Sequence, residues 1–227
     1  MPQMEIIQHP SPNFGDRRDG ARISMLVMHY TGMKSGEESL ARLCDPEAQV
    51  SAHYLIEEDG RVIQMVAEEK RAWHAGVAFW RGISDVNSHS IGIELQNPGH
   101  EHGYRAFPGE QISALIDLSR AILSRHDIPP AGIVGHSDIA PDRKTDPGEL
   151  FPWRQMAAAG VGVFPDVGAD TDEDLAALLD RIGYAPGVPG RIAAFQRRFR
   201  PSKVDDHADV DCARRAAAYL TLLNGKQ

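Results

Sequence analysis

Apolar and polar positions follow one pattern over roughly the first 160 residues and another after about residue 170. In the first stretch, short apolar runs alternate with helical stripes. RISMLVMHYT (22–31) is rich in apolar and β-favouring residues and predicts a buried central strand. Ser35 to Cys44 predicts a short helix, with Ser35 as N-cap and Glu38 three residues on. AHYLIEEDGRVIQMV holds two strand-like runs around Asp59-Gly60, a hairpin signal. SIGIEL (90–95) predicts another strand. From Gly109 to about Asp127, Ile112, Leu115, Ile116, Ile122 and Leu123 recur at helical spacing, and Pro129-Pro130 ends the helix. GIVGH (132–136) is a last short strand that enters the irregular loop SDIAPDRKTDPG. Strands and helices interleave, so the expected fold is α/β, a central mixed β-sheet flanked by helices.

The second stretch carries no strand signal. GVGVFPDVGAD (160–170) is rich in glycine and lacks periodicity, which predicts a linker. Three helical stripes follow: Leu175, Leu178, Leu179 and Ile182; then Ile192, Phe195 and Phe199; then Val210, Ala213, Ala217 and Leu220. The expected organisation is an α/β domain over 1–160 and a small three-helix domain over 171–227, near the lower size limit for independent folding.

Composition narrows the partners. A hydrophobic share of 42% with 25% charged residues suits a chain able to bury a core. The net charge of −8, with no long basic run, argues against a nucleic-acid partner. Cys44 and Cys212 are far apart and match no metal spacing, so incidental thiols are expected rather than a disulfide framework. No window approaches a transmembrane span and no signal peptide is visible. The expected location is therefore cytoplasmic as written, with the periplasm or cell envelope as the alternative for a trimmed exported form.

Ten histidines are present, and most sit in polar or helix-end contexts that call for no function. His29 and His136 differ because each ends an apolar run, where a rigid backbone lifts the side chain toward the sheet rim. Asp146 lies ten residues after His136, before Pro147. Two imidazoles and a carboxylate leave a tetrahedral Zn²⁺ one open position, the pattern of a catalytic metal site, although a turn-forming Asp before Pro is an equal reading of Asp146. Lys144, two residues before Asp146, would share its side in an extended segment and suits an oxyanion stabiliser; the alternative is a solvated lysine. Glu94 is a carboxylate inside an apolar strand, placed either to act as general base or to point outward by period-2 alternation. His53, Tyr54, Trp73, His74 and Asn97 are candidate substrate contacts, and Trp73 and Trp80 offer flat faces suited to carbohydrate, with core packing as the alternative for either.

Taken together, MLVMHYTG, VSAHYLIEEDGRVIQMV, AWHAG, SIGIELQNPG and GIVGHSDIAPDRKTDPGELFPW resemble the type 2 family of N-acetylmuramoyl-L-alanine amidases, which shares its fold with phage amidase lysozymes and peptidoglycan recognition proteins. The segments run in family order over residues 26–153. The resemblance implies His29, His136 and Asp146 as zinc ligands, Glu94 as the acid–base residue and Lys144 as stabiliser of the tetrahedral intermediate. Some relatives use a tyrosine in place of the glutamate; Tyr54 lies in a comparable segment, but Glu94 is present. None of these positions departs from the catalytic pattern, which argues against the rival reading, a non-catalytic recognition protein that can lose a zinc ligand or the acid–base residue. The implied substrate is peptidoglycan or a soluble muropeptide. GRIAAFQRRF and DDHADVDCARRAAAYL look like a small helical peptidoglycan-binding domain, though RPSKVDDHAD replaces the usual small turn.

Overall fold

The computed structural model describes residues 5–225. In chain order the regular elements are β1 (Ile6–Gln8), β2 (Phe14–Asp16), β3 (Met25–Tyr30), α1 (Gly36–Cys44), β4 (Tyr54–Ile56), β5 (Val62–Gln64), β6 (Lys70–Ala72), α2 (Val86–His89), β7 (Ser90–Leu95), α3 (Gly109–Arg125), β8 (Ile133–Gly135), α4 (His136–Ile139), α5 (Trp153–Ala158), α6 (Leu175–Ile182), α7 (Arg191–Phe199) and α8 (Val210–Asn224). Six strands form one sheet in the order β1-β5-β4-β7-β3-β8, and β2 pairs with β6 separately. Within the large sheet only β4–β5, the hairpin around Gly60, is antiparallel. This is the helix-flanked α/β fold with a central mixed sheet that the alternating pattern predicts, and the pairing in that sheet is mainly parallel.

Local signals account for several boundaries. Ser35 caps α1 by accepting from the Glu38 amide, and the Glu38 carboxylate reaches back to the Lys34 amide. Gly60 takes φ +85°, which an L side chain resists, in the turn between β4 and β5. Strands β1, β2 and β6 were not foreseen, because three-residue segments such as FGD and KRA carry no readable period.

Period-2 alternation assigns the two sheet faces. Leu26, Met28, Ile91, Ile93, Leu95 and Ile133 point to one face and pack under Ile112, Leu115, Leu118 and Ile122 of α3. Met25, Val27 and Val134 point to the other, where they join Leu178, Phe195, Phe199 and Tyr219 of the C-terminal helices in one apolar cluster. The three-helix unit thus shares a core with the sheet rather than enclosing one of its own. The expected linker lacks regular structure, yet Val161 and Val163 within it are buried.

One stripe needs correction. In α8 the buried face is Cys212, Ala213, Ala216, Tyr219 and Leu220, whereas Val210 is 67% exposed. Asp209 caps the helix through the Cys212 amide, and its start sets Val210 outward. The large ring of Tyr219 then dominates the core face.

Candidate metal centre and active site

His29 lies near the carboxyl end of β3 and pairs in register with Glu94 on neighbouring β7. Both belong to the face away from α3. A groove of about 610 Å³ opens there, lined by both residues. Grooves beyond the carboxyl ends of parallel strands are common ligand sites in open α/β sheets.

His136 is the first residue of α4, directly after β8, and Asp146 follows on the loop. All three side chains are buried. Nδ1 of His29 lies 3.0 Å from Nδ1 of His136, and each is 3.1 Å from Oδ2 of Asp146. A tetrahedral zinc site with bonds of about 2.0–2.1 Å has ligand–ligand edges of about 3.3 Å, so three donors this close fit one face of such a tetrahedron. Among the described residues, these are the ones that gather as a group able to hold a metal ion.

The outward ring atoms of the two imidazoles are engaged. Nε2 of His136 donates to the carbonyl of Ala75 at 3.1 Å, and Nε2 of His29 lies 3.0 Å from Nδ1 of His74. Burial, with His136 adding, pushes His29 down to about 4, so its ring is neutral at ordinary pH. Burial alone would raise the Asp146 carboxyl, but the His136 and His29 imidazoles hold it well below the usual carboxylate range. A neutral His29 beside an ionised Asp146 gives the protonation states in which these groups bind a divalent cation.

Glu94 and Lys144 line the same groove. Oε2 of Glu94 is buried and has no hydrogen-bond partner. Burial, with the Asp146 charge adding, pushes Glu94 up to about 8, and Lys144 pulls it down. Thr145, between Lys144 and Asp146, is pinned by its hydroxyl to Tyr30 at 3.1 Å, which fixes the loop carrying both.

The aromatic and polar candidates divide. Trp73 and His74 line the groove. His53, Tyr54 and Asn97 do not. The His53 ring is buried; it accepts from the Gly92 amide and donates to the Lys70 carbonyl. Tyr54 falls on the opposite face by alternation, in the cluster under α3, and its hydroxyl donates to Glu68. Asn97 is spent on backbone groups of Gly99 and Arg105. Trp80 is only 2% exposed: its Nε1–H donates to the Ala131 carbonyl and its ring meets Tyr184, so it is core rather than a sugar platform.

Sequence reasoning missed Ser90, Asn87 and Arg143. Asn87 Oδ1 accepts from the amides of His74 and Ala75, and Arg143 donates to the carbonyls of Ala75 and Val77. Ser90 had a readable signal, because Ser90, Gly92 and Glu94 alternate with Ile91, Ile93 and Leu95 and mark one non-apolar edge of the strand.

The His29–His136–Asp146 group at the sheet's carboxyl edge could hold a metal ion, and comparison with known proteins supplies the class. Residues 19–149 match the family model described as N-acetylmuramoyl-L-alanine amidase, and the chain belongs to that family. It is 40% identical to the N-acetylmuramoyl-L-alanine amidase AmiD of Escherichia coli, over 88% of this chain and 83% of AmiD. It is 37% identical to the 1,6-anhydro-N-acetylmuramyl-L-alanine amidase AmpD of the same species, over 65% of this chain and 87% of AmpD. Among solved structures, E. coli AmiD in complex with anhydro-N-acetylmuramic acid-L-Ala-D-gamma-Glu-L-Lys aligns with a TM-score of 0.80 at 37% identity, covering 92% of this chain and 93% of that one. AmpDh3 of Pseudomonas aeruginosa, in complex with anhydromuramic pentapeptide, aligns at 0.79 with 33% identity and covers 96% and 95%. The chain is an amidase of this family.

Proposed function

We propose that this amidase is zinc-dependent and hydrolyses the amide between the lactyl group of N-acetylmuramic acid and L-alanine in peptidoglycan fragments. The observation that carries the reading is the convergence of Nδ1 of His29, Nδ1 of His136 and Oδ2 of Asp146 within 3.1 Å at the floor of a groove. When bound there, zinc supplies Lewis-acid chemistry, polarising an amide carbonyl and making an attacking water more acidic.

The chain's own residues do the rest. Glu94 takes a proton from the attacking water and returns it to the leaving nitrogen; its raised pKa keeps it within reach of both protonation states near neutral pH. Lys144 stabilises the negative charge that develops on the carbonyl oxygen. The C–N bond breaks, the carbonyl carbon keeps the hydroxyl as a lactyl carboxylate, and the nitrogen departs as the L-alanyl amine.

The groove suits a sugar–peptide ligand, because it is mixed in polarity and walled by Trp73, Tyr30 and His100. The bound molecules named for AmiD and AmpDh3 support a muropeptide as the substrate class. Residues 171–227 enter this reading as part of the catalytic frame, since their apolar stripes close on the sheet. The test is mass spectrometry of products from an anhydro-muropeptide and, separately, from a simple N-acyl amino acid. Release of the free L-alanyl peptide and the sugar acid is expected from the first alone. Equal turnover of both would contradict the substrate assignment.

A further inference from the structure

The inference concerns His74 and rests on the zinc reading above. Sequence pattern offered His74 as a substrate contact, but it has no nitrogen left for one. Its Nδ1 lies 3.0 Å from Nε2 of His29, its Nε2 lies 3.0 Å from Oγ of Ser90, and that hydroxyl donates to the Val86 carbonyl at 2.7 Å. Read backward, the last link sets the direction of all the others. A carbonyl only accepts, so the single Ser90 proton is committed to Val86. Ser90 Oγ must then accept from Nε2–H of His74. A neutral ring carries one proton, which leaves Nδ1 of His74 bare, and it accepts from Nε2–H of His29. His29 is thereby fixed in the tautomer whose Nδ1 lone pair faces His136 and Asp146.

The same short segment sets the second imidazole. The Ala75 carbonyl accepts from Nε2 of His136, which leaves Nδ1 of that ring bare too. Asn87 holds both peptide groups from below by accepting from the His74 and Ala75 amides at 3.1 and 2.9 Å. The ring of His74 lies flat against β7 at Gly92, where a Cβ would fall 2.5 Å from its Cγ. No side chain fits between, so Gly92 is the seat of the relay.

We propose that His74, backed by Ser90 and seated on Gly92, is the positioning residue of the metal centre: it fixes the tautomer and aim of His29. Outer partners of metal-binding histidines are usually carboxylates or backbone carbonyls. Here a third histidine takes that place, so the orienting hydrogen bond depends on a single hydroxyl proton further back.

Two measurements test this. In zinc-free wild-type protein, the ¹⁵N shifts of the ring nitrogens report tautomers with no metal present; His29 and His136 should both be Nε2–H, and His74 should be Nε2–H. A His29 carrying its proton on Nδ1 would overturn the proposal. Zinc dissociation constants from chelator competition give the second readout. His74→Leu should weaken zinc binding about 10–100-fold, whereas His74→Gln, whose amide oxygen can accept from His29, should recover most of the loss. Ser90→Ala should fall between wild type and His74→Leu. Wild-type affinity in folded His74→Leu would overturn the proposal, as would a His74→Gln protein no better than His74→Leu. If His74→Leu fails to fold, the wild-type tautomers and Ser90→Ala decide. A wild type that bound no zinc would sink the metal reading instead, and the tautomers would still judge the relay.

Discussion

His136 and Asp138 stand two residues apart on α4, both buried, yet they serve opposite kinds of polar cluster. His136 faces the groove, where three donor atoms converge with lone pairs toward one point and the nearby Glu94 keeps an oxygen without a partner. Asp138 faces the C-terminal helices. Its carboxylate accepts from the Gly135 amide, from the Arg198 guanidinium at 2.9 Å and from the Tyr184 hydroxyl. Arg198 in turn stacks over Trp153, 4.2 Å from the ring. There charge meets charge and the Asp138 oxygens meet donors, with Nε of Arg198 the one atom of the pair left without a hydrogen-bond partner. In the groove, acceptors meet acceptors. Buried polar groups that close on one another hold a fold together, whereas buried ligand atoms that converge on one point suit a group from outside the chain.

That contrast can be broken from either side. The largest effect is expected in the groove. Glu94→Gln should keep its zinc and lose about 10²–10⁴ in kcat as a missing acid–base group, with Tm within a degree or two or higher, since an unpaired buried carboxylate is removed. A large fall in Tm would mean that Glu94 belongs to the structural class. Lys144→Ala should likewise keep zinc and lose about 10²–10³ in kcat; wild-type turnover on a muropeptide would remove it from the mechanism.

On the other side, Arg198→Met leaves Asp138 charged and buried. It should cost about 3–5 kcal/mol of stability, read by denaturant unfolding, and the double variant with Asp138→Asn should recover part of it. Activity per folded molecule should fall far less than in Glu94→Gln. Little loss of stability in Arg198→Met would show that the three-helix unit is not welded to the sheet through this pair. Deleting the chain after Gly160 should then damage only digestion of insoluble sacculi, whereas the shared core predicts loss on soluble and insoluble substrates alike.

The smallest effect sharpens the boundary between the two classes. His53 lies on the groove side of the sheet but is closed by its own hydrogen bonds, and burial, with Arg17 adding, pushes it down to about 3. Between that value and the ordinary 6.5 the folded state binds fewer protons than the unfolded one, so stability should fall as the pH drops through this window and level off above it. In metal-free protein His53→Gln should shallow that dependence by one proton, about 1.4 kcal/mol per pH unit. An unchanged slope would mean that the ring is already protonated in the fold.

Much of this could be read from residues. The apolar runs and stripes mark β3, the β4–β5 hairpin, β7, α3, β8 and the three C-terminal helices because each buries a face with a regular period. His29, Glu94, His136, Lys144 and Asp146 stand out as chemically unusual residues in or beside such runs, and all five line the groove. What failed was depth. Tyr54 and His53 are adjacent in a conspicuous motif, but alternation sends one under α3 and the other into the layer beneath the groove. For Trp80 a binding platform and core packing stayed equally open, because exposure is invisible in sequence, and it is core. The closure of the C-terminal stripes on the sheet was also hidden, since a stripe reports that a face is covered and not by what.

The central claim is that His29, His136 and Asp146 hold one zinc ion, and metal content measured against folded protein tests it most directly. Elemental analysis of purified wild type should give one zinc per chain, and His136→Ala, shown to be folded by circular dichroism, should give almost none and no turnover of a muropeptide. A His136→Ala protein with full zinc and full activity, or a wild type fully active after its zinc has been stripped, would contradict the account.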